Sequence, residues 1–179
     1  MRVVIDACVL YPTVLREIVL AVAAHDLFTP LWSARILEEW ARATVKLGAG
    51  AEAVARGEIA LLGVRFPHAM VPADIPLEQS LLLDDINDRH VLATAITGHA
   101  DLILTDNLRD FPSRALAPHG VRALDPDRFL IDLLAAHPKT VAGLVERIRA
   151  EAERLSGQPQ PLRPLMKRAG LPRLGKALA

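Results

Sequence analysis

The segment Val3-Val4-Ile5-Asp6, near the start of the chain, is a β-branched run that ends in a carboxylate. Such a run is typical of a buried strand, and residues 13–25 follow with apolar side chains at helical spacing. A charge left inside the core would cost several kcal/mol unless it were paired or bound a metal, so we expect Asp6 at the sheet edge. No turn or helix cap in the sequence makes obvious use of this aspartate, which favours a functional role.

Strand and helix patterns alternate through the first 125 residues. Helices are predicted over residues 13–25, 34–47, 51–62 and 88–97, and strands over residues 2–6, 68–71, 101–105 and 121–124. Asn87 or Asp88 is the expected N-cap of the fourth helix. The alternation predicts an α/β fold, a three-layer α/β/α arrangement in which helices cover both faces of a mainly parallel sheet.

After residue 125 the predicted secondary structure changes from alternating strands and helices to helices alone. One helix starts at residue 126, and two more span residues 139–155 and 162–169. We therefore divide the chain into a domain of residues 1–125 and a helical extension of residues 126–179. The first part holds 11 basic and 16 acidic residues, and the extension holds 10 basic and 5 acidic residues. Its last segment, from residue 157, is either a solvated tail, a surface that attracts a polyanion, or a set of helices docked on the core.

Composition narrows the class of protein. The chain has 179 residues, of which 51% are hydrophobic, enough for a sizeable core. Charged residues interrupt the apolar runs before the roughly 20 residues that a membrane span needs, so we expect a cytoplasmic protein without a membrane segment or signal peptide. The single Cys8 cannot form an internal disulfide, and it is interpreted as a small buried hydrophobe and not as a nucleophile.

Acidic residues recur where predicted elements begin or end: Asp6, Glu39, Asp88 and the pair Asp106 and Asp110. The carboxyl ends of parallel strands meet at one edge of a sheet, so these side chains can converge there, although each also has an ordinary role as cap, turn or surface residue. An all-oxygen set favours Mg²⁺ or Mn²⁺ over Zn²⁺, and such ions serve phosphodiester chemistry. The chain has no dinucleotide fingerprint, Walker loop or nucleophile elbow.

Four segments, taken in order, resemble PIN-domain ribonucleases, and most closely the VapC-like toxins of bacterial toxin–antitoxin pairs. They are residues 3–10, 30–40, 85–95 and 104–111. The resemblance covers about residues 1–125 and, more loosely, the helical extension, which is similar to the C-terminal domain of some of these toxins.

The resemblance implies three metal ligands. The acid after the first strand corresponds to Asp6, and the acid that opens the later helix corresponds to Asp88. The family's helical glutamate corresponds to Glu39 and not to Glu38, because it precedes a bulky apolar residue. His90 is either a group that supports these ligands or a packed core histidine.

The fourth site position is open. Family members show Thr-x-Asp or Thr-x-Asn, which puts Asn107 in register with Thr105 on the same side of the strand. Asp106 is then expected to point away, while Asp110 could reach back to the site.

The function that the resemblance implies is a Mg²⁺- or Mn²⁺-dependent endoribonuclease that acts on RNA, is inhibited by a cognate antitoxin and forms a homodimer. Two alternatives remain open. One is a catalytically weak RNA-binding or scaffold protein with the same fold, supported by Asn107 in place of an acid. The other is a DNA-directed PIN-like nuclease, which would be expected to carry an additional arch or helix–hairpin–helix element. The sequence does not identify the RNA or the antitoxin.

Overall fold

The computed structural model describes all 179 residues, which form four strands and eleven α-helices around a parallel sheet. The strands are β1 (Arg2–Ile5), β2 (Thr29–Leu31), β3 (Leu102–Leu104) and β4 (Arg122–Leu124). Their order in the sheet is β2-β1-β3-β4, and all three pairings are parallel. The predicted α/β class and parallel sheet are confirmed.

Seven helices belong to the sheet-forming part of the chain. They are α1 (Ala7–Leu10), α2 (Thr13–Ala23), α3 (Ala34–Ala43), α4 (Ala51–Arg65), α5 (Ile75–Ser80), α6 (Arg89–Thr97) and α7 (Ser113–Leu116). Across the sheet, the chain steps from β1 to β2 in one direction. It then steps in the opposite direction, from β2 to β3 and on to β4. Because crossovers between parallel strands are right-handed, α2 lies on one face of the sheet and α6 and α7 lie on the opposite face. None of the helices combines the length and the apolar composition that a membrane span would require.

Residues 68–71 do not form a strand, and this prediction was wrong. They contribute one isolated bridge, in which Trp32 N donates to Ala69 O at 3.0 Å and Val71 N donates to Trp32 O at 2.8 Å. The strand beside β1 is β2 instead, which the sequence analysis missed. It is three residues long and includes Pro30, so it shows neither the length nor the composition of an ordinary strand.

Helix boundaries agree with the sequence where a cap marks them. The Ser33 hydroxyl accepts a hydrogen bond from the Ile36 N–H at 3.3 Å, which begins α3 as predicted. The helix ends at Ala43 and continues as a 3₁₀ turn over Thr44–Leu47, which Gly48 ends with a φ of 120°. The short helices α1 and α5 were not predicted, because four to six residues contain too few periods to recognise.

The helical extension contains α8 (Pro126–Ala136), α9 (Pro138–Ser156), α10 (Leu162–Arg168) and α11 (Pro172–Ala177). Helix α9 packs on α2, and the Phe28 and Phe129 rings meet edge to face at a centroid distance of 5.2 Å. The extension thus covers the α2 face of the sheet.

The last 23 residues are docked and do not form a solvated tail. Leu165, Met166, Leu171 and Leu174 are at most 4% exposed and belong to the same hydrophobic core as the sheet. The approach of α11 to α10 is so close that a Cβ on Gly175 would lie 2.7 Å from the Met166 Cβ. Of the alternatives that the sequence left open for this segment, docking on the core is the one observed, with Pro161 as the N-cap of α10 and Pro172 as the first residue of α11.

Candidate active site

Asp6 lies directly after β1, beside β3, where the direction of strand order reverses. In open parallel sheets this is the place where ligands bind. The residue is 7% exposed, and its two carboxylate oxygens are already engaged. Oδ1 accepts from the Ala7 N–H at 2.7 Å, and Oδ2 accepts from the Thr105 hydroxyl at 2.7 Å and the Cys8 thiol at 3.2 Å. The expectation that Asp6 has no cap to make was therefore wrong, since it is the N-cap of the unpredicted helix α1.

The Cys8 thiol belongs to this cluster as a hydrogen-bond donor. Burial, followed by the charge of Asp6, raises the pKa of Cys8 to about 12. A thiol with this pKa stays protonated at neutral pH, so Cys8 does not act as a nucleophile. Its contact with Asp6 is more specific than the role of small hydrophobe that the sequence suggested.

Helix α3 directs its two adjacent glutamates to different neighbours. Glu38 pairs with Arg42 at 2.7 Å and with Arg56 at 2.9 Å, and these arginines lower the pKa of Glu38 to about 2. Glu39 instead accepts from His90 Nε2 at 3.0 Å on its Oε1 atom. Adjacent helical positions point about 100° apart, so only Glu39 faces α6 and the acidic edge of the sheet.

The imidazole of His90 is 4% exposed and makes one hydrogen bond, through Nε2 to Glu39. Its Nδ1 atom is buried without a partner. In the neutral ring the proton therefore lies on Nε2, which donates to the carboxylate. His90 is both packed and in contact with a predicted metal ligand, so the two alternatives that the sequence left open hold together.

Arg35 was missed by the sequence analysis, although it lies four residues before Glu39, the spacing of helical ion pairs. It donates to Glu39 at 3.3 Å, to Glu78 at 2.8 Å and to the backbone oxygen of Asn87 at 3.3 Å. Arg35 therefore connects α3 to α5 and to the turn before α6. Burial by itself would raise the pKa of Glu39, but the contacts with His90 and Arg35 together outweigh it and lower the pKa.

Asp88 is the last residue of the 3₁₀ turn Ile86–Asp88 and precedes α6. Its side chain makes no capping hydrogen bond; Asp85 accepts from the Asn87 N–H at 2.8 Å and caps this turn. Asp88 occupies the N-cap position of α6, as predicted for Asn87 or Asp88, but the capping hydrogen bond is made upstream by Asp85. The carboxylate of Asp88 is consequently free of hydrogen bonds from its own helix.

The pKa of Asp88 is raised to about 6, first by burial and then by the charges of Asp6, Asp85 and Asp110. Charges influence a carboxyl group in this way only when they are near it. These acids, from three separate segments, therefore lie near one another at one edge of the sheet.

The loop after β3 supplies the remaining candidates. The Thr105 side chain is fully buried and accepts from the Asn107 N–H at 3.1 Å, while Asn107 itself is exposed. Asp110 is half-buried, pairs with Arg109 at 3.6 Å and is near enough to raise the pKa of Asp88. The pKa of Asp106 is raised by burial and then by Asp125 and Asp6, with Asp125 the stronger of the two neighbours.

These residues are of the types that bind a hard divalent cation, but their side chains do not converge on a single ion position. No group of three or more His, Cys, Asp or Glu side chains is arranged to hold an ion directly. Hydrogen bonds hold both carboxylates in place, Asp6 through Thr105 and Cys8, and Glu39 through His90 and Arg35. The donor set is oxygen-rich, and the raised pKa of Asp88 indicates surplus negative charge that a cation would neutralise.

Comparison with known proteins gives two matches. The family model described as "PIN domain" matches residues 2–109 of this chain. A segment of 58 residues is 43% identical to the Mycobacterium tuberculosis (strain ATCC 25618 / H37Rv) protein named "Putative ribonuclease VapC50", covering 32% of this chain and 34% of that protein. The alignment thus spans about a third of the length of this relative. No solved structure matches the chain significantly.

Proposed function

This chain belongs to the PIN-domain family, and from that premise we propose that it is a Mg²⁺- or Mn²⁺-dependent endoribonuclease, the toxin of a toxin–antitoxin pair. The observation that carries the proposal is that Asp88 lies near Asp6, Asp85 and Asp110 at the carboxyl edge of β1 and β3, where burial and then these charges raise the pKa of Asp88. Repelling carboxylates stay ionised together only where a cation neutralises them.

In this proposal Asp6, Asp88 and Glu39 hold the ion, and Asn107 or Asp110 completes the site. A bound divalent ion supplies a water of lowered pKa and balances charge on the scissile phosphate. The hydrogen bonds from Thr105 and Cys8 fix the orientation of the Asp6 carboxylate before substrate arrives.

The contacts of Arg35 and His90 do the same for Glu39, which keeps it ionised at the site. No protein nucleophile is required, and the high pKa of Cys8 is consistent with a protonated thiol that acts only as a donor.

The toxin assignment rests on the relative named for a ribonuclease, and it implies a cognate antitoxin that occupies the site and a homodimeric toxin. Because the alignment covers about a third of that relative, both partners are proposals for this chain. A small open reading frame immediately upstream that encodes a DNA-binding N-terminus would support the pairing.

The test is cleavage of total RNA by the purified protein with Mg²⁺, with Mn²⁺ and with EDTA, followed by mapping of the cut ends. We expect cleavage that requires the ion and is abolished in Asp6→Asn and Asp88→Asn. Circular dichroism checks that both variants remain folded. Retained cleavage in both variants, or cleavage in EDTA, would contradict the proposal.

A second candidate is an RNA-binding PIN-domain protein with little or no catalytic activity. Asn107 favours it, since this residue puts an amide where an additional carboxylate would strengthen the metal site. Stable RNA binding without cleavage, at saturating Mg²⁺ and Mn²⁺, would select this candidate over the nuclease.

A further inference from the structure

A cavity of about 270 Å³ lies between the end of α1, the start of α2 and the start of α4. Its lining includes Tyr11, Thr13, Leu47 and the ion pair between Arg16 and Glu58. Tyr11 is the first residue after α1, and Asp6 is the N-cap of the same helix. At 1.5 Å per residue, the backbone of Tyr11 is about 7 Å from that of Asp6 along the helix axis. The cavity and Asp6 thus lie at opposite ends of the same short helix, α1.

Tyr11, the only tyrosine of the chain, is half-buried and is one of the residues that line this cavity. The Lys46 ammonium group lies 4.8 Å from the centroid of that ring. An aromatic ring in a cavity beside a cation is the combination that binds a nucleotide, because the base stacks on the ring and the phosphate meets the cation.

Lys46 differs from the other cations near this cavity. Arg16 pairs with Glu58 at 2.8 Å, and Arg42 pairs with Glu38 at 2.7 Å, so their charges are compensated. Lys46 is exposed and takes part in no ion pair, and its only interaction of this kind is with the Tyr11 ring. No carboxylate compensates its charge, so a phosphate can draw Lys46 away from the ring, which also frees that face of the ring for a base.

We propose that this cavity is a subsite for one nucleotide of single-stranded RNA, with the base against Tyr11 and a flanking phosphate on Lys46. The inference rests on the proposed nuclease function and extends it to substrate binding. The acids of the site repel phosphate, so a nuclease needs a nearby cation to hold the strand. The volume is below the roughly 300–1,000 Å³ of pockets for drug-sized ligands, which suits a single base.

The first test measures RNA binding in the Asp6→Asn protein, which leaves the strand uncut. Fluorescence anisotropy with a fluorescein-labelled, random-sequence single-stranded 12-mer RNA gives the affinity. Tyr11→Leu removes the ring and is expected to weaken binding about tenfold, because one base loses its stacking partner. Tyr11→Phe retains the ring and is expected to bind within about twofold of the parent.

The charge is tested separately. Lys46→Met is expected to weaken binding and to reduce the slope of log affinity against log salt by about one, as the loss of one phosphate contact should. Because Lys46 is exposed, this variant is expected to keep its melting temperature, which separates a binding effect from a folding effect.

The mouth of the cavity provides a matched pair of variants. Leu47 lines the cavity and is 64% exposed, while Val64 is 80% exposed and lies on the far part of α4. Leu47→Glu adds a negative charge at the mouth and is expected to weaken RNA binding at least about fivefold, whereas Val64→Glu is expected to bind as the parent does.

The outcomes separate the subsite from the nuclease proposal. If the unmodified protein cuts RNA but Tyr11→Leu, Lys46→Met and Leu47→Glu all bind and cut as it does, the subsite is overturned and the nuclease stands. If the unmodified protein neither binds nor cuts RNA, the proposed function fails and the subsite fails with it. Should Tyr11→Leu lose stability, Lys46→Met and Leu47→Glu decide the matter, because both positions are exposed.

Discussion

The Thr105 hydroxyl donates a 2.7 Å hydrogen bond to Oδ2 of Asp6, which joins the ends of β3 and β1 where the strand order reverses. Both residues are buried, so solvent does not compete for this bond. Thr105 also accepts from the Asn107 N–H, which couples the orientation of Asp6 to the loop after β3. The site is thus pre-organised by hydrogen bonds between two strands that are 99 residues apart in sequence.

We expect Thr105→Val, which keeps the shape and removes the hydroxyl, to lower RNA cleavage about 10–100-fold, the usual effect of losing a group that orients a metal ligand. The Mg²⁺ concentration for half-maximal activity should rise in parallel. Thr105→Ser retains the hydroxyl and is the matched control, expected to stay within a few fold of the parent. Equal activity in the two variants would show that the Thr105 hydroxyl does not support the site.

The pKa of Asp88 leads to a prediction about stability. It rises from 3.8 to about 6 on folding without metal, so the folded state binds this proton more tightly than the unfolded state does. The carboxylate therefore destabilises the fold progressively as the pH rises from about 4 to 6, and fully above that range. In EDTA at pH 7.5 we expect Asp88→Asn to melt above the parent, and we expect the difference to vanish near pH 4.

Thermal melts of both proteins across this pH range provide the measurement. Added Mg²⁺ should raise the melting temperature of the parent and leave that of Asp88→Asn nearly unchanged, since the variant lacks a charged ligand. A gap between the two proteins that does not change with pH would show that charge repulsion is not the cause.

The two glutamates of α3 form a natural comparison. Glu39→Gln removes the charge that faces His90 and Arg35, and we expect it to lower cleavage at least about tenfold. Glu38→Gln weakens only exposed ion pairs with Arg42 and Arg56, so activity should remain near that of the parent. Initial cleavage rates at saturating Mg²⁺ measure both effects, and equal losses would mean that the wrong glutamate was assigned.

The loop after β3 offers a substitution that should improve the site. Asn107→Asp adds a carboxylate in register with Thr105, so we expect it to preserve or tighten Mg²⁺ binding, measured by calorimetry. Asp110→Asn removes a charge near Asp88 and should lower the pKa of Asp88 toward its ordinary value. Complete loss of cleavage in Asn107→Asp would instead indicate that the amide of Asn107 acts as a hydrogen-bond donor.

The sequence predicted elements that have strong local signals. The run before Asp6 and the Ser33 cap identified β1 and α3 because β-branched residues and a capping hydroxyl act locally. In contrast, β2 forms because it pairs with the edge of β1 and because Trp32 bridges to residues 69–71. No local sequence pattern encodes these contacts. The same limit explains why sequence patterns found acids at element ends but missed Arg35, whose role depends on Glu78 and Asn87, distant in sequence.

The docking of the extension depends on Asp127, which is 5% exposed. Its carboxylate accepts from the N–H groups of Arg173 at 2.8 Å and Leu174 at 2.9 Å, and thereby holds the start of α11 against α8. Asp127→Ala leaves these donors without a partner at a cost of about 2 kcal/mol. For a chain of this size the melting temperature should fall by about 4–8 °C. Deletion of residues 157–179 should lower it further, because that deletion also uncovers the core.

The basic residues of the extension can be tested without disturbing this packing. Lys167 and Lys176 are exposed and make no ion pair, so Lys167→Gln with Lys176→Gln removes two charges and should leave the melting temperature unchanged. If the extension attracts RNA over long range, the double variant should bind the labelled 12-mer more weakly at 50 mM salt and equally well at high salt, where screening removes the effect. Affinity that is unchanged at every salt concentration would assign the extension a purely structural role, in which α10 and α11 serve only to cover the core.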